Sequence, residues 1–152
     1  MEQFIIFVIL IGLGYTAGTI AERRHYRSIE TRERKLLTLP VVTIKNALHR
    51  DEEIFKARLV SGNVVISIDY FKRMLAGLRN IFGGEVRAYE TLVDRARREA
   101  VLRMKESARG ANIILNLRIE TSAIGQNANQ RKSIGSIEAI AYGTAVTLKK
   151  TE

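Results

Sequence analysis

The sequence predicts a small α+β domain, an antiparallel sheet with packed helices, preceded by one N-terminal helix long enough to cross a membrane. Three observations carry this reading. Residues 4–21 contain no charged side chain. Beyond them, segments with the two-residue apolar period of strands alternate with segments of helical period. Finally, 152 residues leave room for one compact domain and an appendage, and 46% hydrophobic content with a single proline is typical of a folded chain.

The apolar run from Phe4 to Ala21 reads FIIFVILIGLGYTAGTIA. As a helix, about 18 residues rise roughly 27 Å, close to the thickness of a bilayer's hydrocarbon. A cleavable signal peptide is the main rival, but its start should carry Lys or Arg, and only Met1, Glu2 and Gln3 stand there. A buried core helix is disfavoured because the run is apolar on every side. Arg23, Arg24, Arg27, Arg32, Arg34 and Lys35 follow the run, and no cation precedes it. This bias predicts a single pass of the inner (cytoplasmic) membrane, N-terminus out and domain in the cytoplasm. Arg23, Arg24 and Arg27 suit anionic lipid headgroups, each by about 1 kcal/mol near the surface. Gly14 and Gly18 form a G-x-x-x-G pattern extended by Ala17 and Ala21, a candidate face for packing between membrane helices. Residues 22–39 read as a basic stalk. Its Glu, Arg and Lys content, without Gly or Pro up to Lys35, can continue the helix, and Pro40 marks its latest end.

The domain is expected over residues 40–152. Val41–Ala47 and Arg58–Ile68 are rich in Val and Ile and read as strands, the second with a possible bulge at Gly62. Asp69 is placed to cap a helix from Tyr70 to Phe82, which Gly83 and Gly84 end. A second helix is expected from about Val86 to Arg109. Val93, Ala96, Ala100, Met104 and Ala108 form its apolar stripe, and Arg95, Arg98, Glu99, Arg103 and Glu106 form an opposite face read as solvated. Ile113, Leu115, Leu117 and Ile119 alternate with polar residues as a half-buried strand does. The strand from Ser136 to Leu148 sets Ala139, Ala141, Gly143 and Ala145 on one face, a surface that a helix or another subunit can approach closely. Ser122–Gly135 between them reads as a polar connection.

The net charge of +9, 25 Lys and Arg against 16 Asp and Glu, favours acidic partners such as anionic lipid. The excess is spread along the chain, and no stacking platform or known motif accompanies it, which argues against nucleic acid. With no cysteine, disulfides, thiolate nucleophiles and Cys-ligated metals are excluded. Neither histidine lies in a nucleophile elbow, and no phosphate-binding glycine pattern follows a strand. The expectation is a non-catalytic protein without a cofactor.

Four stretches resemble the YbjQ-like family, which carries a heavy-metal-binding label: AGLRNIFGGEVRAYE (residues 76–90), ARGANIILNLRIET (108–121), IGQN (124–127) and YGTAV (142–146). The resemblance covers roughly residues 44–148. It implies a dodecin-like subunit that assembles into a ring, typically a pentamer, in which strands of neighbouring subunits meet. The metal label fits this sequence poorly. His49, Asp51, Glu52 and Glu53 could hold a hard ion, though a solvated acidic turn is the simpler reading. Matching the family motif places Arg79, Asn80, Tyr89 and Glu90 near the Gly83–Gly84 corner, as candidates for a ligand or a subunit junction. The leading expectation is a membrane-anchored oligomeric scaffold, with a metal- or small-ligand-binding module at the membrane surface as the alternative.

Overall fold

The computed structural model describes residues 1–44, 53–67, 87–124 and 136–149. They form helix α1 (Glu2–Lys35), strand β1 (Ile54–Ser67), helix α2 (Arg87–Ser107), and strands β2 (Ile113–Ile124) and β3 (Ser136–Leu148). The strands make an antiparallel sheet in the order β1-β3-β2. The α+β expectation holds in this form. The apolar run and the stalk as far as Lys35 are one uninterrupted helix, as the lack of Gly and Pro between Glu22 and Lys35 allowed.

The central strand β3 explains how the domain closes. Ala139, Ala141 and Ala145 are almost wholly buried in one core cluster with Leu92, Ala96, Ala100, Met104 and Ala108 of α2. Small side chains on both surfaces bring the helix backbone near the sheet. On β1 the approach is tighter still. A Cβ at Gly62 would collide with the backbone of Met104 and Ala100, so only glycine fits there. Gly62 is therefore a contact point for the helix and not a bulge. Register runs unbroken through it, and the irregularity of this strand lies between Ile54 and Lys56 instead. The strand also starts earlier than Val and Ile content indicated, at Ile54 and not at Arg58.

In β2 the expected alternation breaks. Asn116 takes a positive φ of 55°, and pairing with β3 shifts between Leu115 and Arg118. The adjacent residues Ile114 and Leu115 are consequently both buried. The bulge packs against β3 at Gly143, where a Cβ would stand 2.9 Å from Ile114 Cγ2. Residues 122–124, expected in the connection, belong to β2. Of the expected first strand, Val41 makes a lone parallel bridge to Ile114, and Leu117 N donates to Val42 O at 3.0 Å. Residues 45–47 of that strand, the helix expected at 70–82 and residues 125–135 of the connection lie outside the described residues. α2 ends with Gly110 at a φ of 82°, the left-handed conformation that a glycine past a helix end supplies.

Candidate functional site at the helix seam

α1 docks its last four turns on the side of α2 that turns away from the sheet. Glu22, Tyr26, Ile29 and Glu33 recur at steps of three and four and so share one side of α1. Ile29 is wholly buried. Tyr26 donates its hydroxyl to Thr91 O at 3.0 Å, and its ring lies 5.9 Å from the Arg98 guanidinium.

Charge complementarity supplies the rest of the seam. Arg98 binds Glu33 with both arms of its fork, at 2.8 Å from Nε and 2.7 Å from Nη2. Arg32 pairs with Glu99 and, at 3.4 Å, with Glu106. Arg103 Nε donates to Glu99 Oε1 at 3.0 Å, the expected i,i+4 pair. Lys105 Nζ donates to Leu36 O at 3.0 Å, placing a cation on a carbonyl just past the end of α1. Glu99 is only 3% exposed, so the centre of the α2 face read as solvated is covered by the stalk, while at its edge Arg103 stays exposed and Glu106 half-buried. Its two arginine partners hold the Glu99 carboxyl below the usual range, although burial pushes it the other way. Arg98 does the same for Glu33. Burial and the neighbouring Arg95 lower the pKa of His25, whose Nε2 is 3.8 Å from Glu99 Oε2.

Arg95 is the exception. Its side chain is 13% exposed, and among the described residues the one carboxylate in ion-pair reach is Glu22, at 3.9 Å. Among the described residues its Nε is buried without a hydrogen-bond partner, as are Arg32 Nε and His25 Nδ1, but Arg32 pairs through both Nη atoms and Arg95 does not. On the outer sides of α1, Arg23, Arg24 and Arg27 are exposed. Gly14 and Gly18 continue the docking side of α1 upward, one and two turns beyond Glu22. Glu90 is exposed in the first turn of α2, while the Tyr89 side chain, Arg79 and Asn80 lie outside what is described. The corner they were expected to build lies outside the described residues, and the seam is a separate feature that pattern reading did not find. Its signal was present: glutamates and arginines of residues 22–36 match those of 94–106 in sign and helical spacing.

A family model described as "Putative heavy-metal-binding" matches residues 41–149. The chain belongs to the YbjQ family. A UPF0145 protein of Dehalococcoides mccartyi is 38% identical over 111 residues, covering 72% of this chain and 99% of that protein. A UPF0145 protein of Hahella chejuensis is 44% identical over 93 residues, 60% of this chain and 82% of that one. A crystal structure of a DUF74-family protein of unknown function from Pediococcus pentosaceus aligns over 73% of this chain and 98% of its own, at 12% identity and a TM-score of 0.41. The match to the YbjQ model takes in the sheet and α2 and leaves α1 outside, so the seam joins a YbjQ domain to a helix beyond it.

Among the described residues, neither the YbjQ domain nor the seam offers a donor set that fits a heavy metal. Among the described residues no group of three His, Cys, Asp or Glu could hold an ion. His25 stands among Arg32, Arg95 and Arg103, whose charges repel a cation. Glu53 is engaged by Lys149 Nζ at 2.7 Å, and His49, Asp51 and Glu52 lie outside the described residues.

Proposed function

We propose that the protein is a membrane-anchored, non-catalytic scaffold that holds a YbjQ domain against the cytoplasmic side of the inner membrane as a homo-oligomer, with a pentamer favoured. The observation that carries this reading is the division of α1. Its apolar part is long enough to cross a membrane and has none of its most apolar 18-residue window buried, whereas its polar part is fastened to α2. A helix apolar all round and unpartnered needs lipid or other apolar surface to cover it. Docking through the seam then sets the domain at a fixed distance and angle from the bilayer, which a flexible linker would not do.

Self-association is supported by the sheet face turned away from α2, where Leu59, Val65 and Ile140 are exposed. Gly14 and Gly18 allow anchors to approach one another inside the bilayer, and anchors held parallel raise the effective concentration for assembly. Alkaline carbonate extraction of membranes, followed by mass measurement of the detergent-solubilised protein, tests both parts. The reading expects retention in the membrane pellet and a multimeric mass. Release into the supernatant sinks the anchor, and a monomeric mass sinks the scaffold.

A further inference from the structure

We propose that Arg95, with His25 and Tyr26 beside it, forms a binding site for a phosphate group at the membrane end of the seam, of the kind carried by an anionic lipid headgroup or by free phosphate. The case rests on the contrast among the seam's arginines. Arg98 and Arg103 spend their donors on carboxylates and a backbone carbonyl, and Arg32, although its Nε is also buried without a partner among the described residues, places both Nη atoms on Glu99 and Glu106. Arg95 makes no hydrogen bond within the described residues, and its Nε is sealed from solvent. Its side chain keeps 13% exposure, and among the described residues its two Nη atoms donate to no acceptor. Nη1 faces Glu22 from 3.9 Å, a distance that gives attraction without a hydrogen bond. A guanidinium fixed by packing, with the outer edge of its fork open, is preorganised for a planar or tetrahedral oxyanion.

Position favours phosphate on a lipid as one source. Arg95 lies beside Glu22, the first charged residue after the apolar run, where headgroups stand if α1 spans the bilayer. The lipid source thus rests on the anchor reading, while the phosphate chemistry does not. Electrostatics around His25 point the same way. Among the described residues the charges around His25 are Arg32, Arg95 and Arg103 against Glu99, with Glu22 at the rim, a balance that attracts an added anion and not a cation. Arg23, Arg24 and Arg27 lie on other sides of α1 and would contribute only diffuse attraction.

The test uses the full-length protein with the variants Arg95→Gln, Arg95→Lys and the outer-surface double variant Arg24→Gln/Arg27→Gln. In nanodiscs of phosphatidylcholine with added phosphatidylglycerol, native mass spectrometry counts phosphatidylglycerol retained per subunit. In non-ionic detergent, thermal shift compares inorganic phosphate with chloride at equal ionic strength. The expected result is retention lowered about tenfold by Arg95→Gln, less by Arg95→Lys, which keeps the charge but loses the fork, and only slightly by the double variant. A phosphate-dependent shift lost in Arg95→Gln with no lipid preference assigns the site to free phosphate. Equal retention and equal shift in wild type and Arg95→Gln overturn the site. Helix content by circular dichroism confirms that each variant is folded. If wild type leaves the membrane in carbonate, the anchor reading has failed, and the phosphate arm in detergent still decides the site.

Discussion

The two sides of α2 are built by opposite means. Toward the sheet it presents Ala96, Ala100, Met104 and Ala108, and the contact is a close fit of small apolar groups. Toward α1 it presents Arg95, Arg98, Glu99 and Glu106, and the contact is a set of ion pairs around a buried Ile29. The first interface is indifferent to pH and salt but intolerant of added volume. The second tolerates volume at its exposed rim and responds to both. The difference separates what folds the domain from what orients it on α1.

The largest effect expected is at the apolar side. Gly62→Val forces a branched side chain into the backbone of Ala100 and Met104 and should destabilise by about 3 kcal/mol, read from denaturant melts. Glu99→Ala comes next. It strips Arg32 and Arg103 of their buried partner and should cost about 2 kcal/mol, below the range for fully buried pairs because both arginines are partly exposed. Its distinguishing mark is that protease sensitivity should rise between α1 and the domain while the sheet stays protected. Arg98→Ala removes a bidentate pair that is about a third exposed, for about 1 kcal/mol that shrinks as salt is added.

Acidification should loosen the seam in two stages. His25 has a folded pKa depressed below 6.5, so the unfolded chain takes up its proton first and stability falls as pH drops below 6.5 through the folded value. Glu99 and Glu33 are depressed below 4.5 by their arginines, so their stabilisation is intact above 4.5 and is lost as pH falls through their folded values. Melting temperature against pH should therefore show an upper limb that His25→Asn flattens and a lower limb that Glu99→Gln flattens. Both limbs are expected to be smaller than the effect of Gly62→Val, and neither substitution should alter packing on the sheet.

The same contrast explains what could be read without coordinates. The apolar stripe of α2 and the small face of β3 were legible because period and side-chain size are properties of one segment. The continuity of α1 past the apolar run was legible from the lack of Gly and Pro between Glu22 and Lys35. The seam was not, because Glu99 looks like any solvated helix residue until Arg32, 67 positions away, is placed beside it. Gly62 was recognised as special but assigned the wrong cause, since a bulge and a close helix both require a missing side chain. The Asn116 irregularity was hidden by an alternation that looked regular on both sides of it. The corner of Arg79, Asn80, Tyr89 and Glu90 came from family resemblance, and apart from Glu90, exposed in the first turn of α2, it lies outside what is described.

The central claim is that α1 carries the seam on one side of a membrane and its own first turn on the other. Because the chain has no native cysteine, the single variants Glu2→Cys and Arg34→Cys each report one position against a blank background. Labelling intact and permeabilised cells with a membrane-impermeant maleimide measures this directly. The account predicts that Cys at position 2 reacts in intact cells and that Cys at position 34 reacts only after permeabilisation. Labelling of both positions from the same side would contradict it.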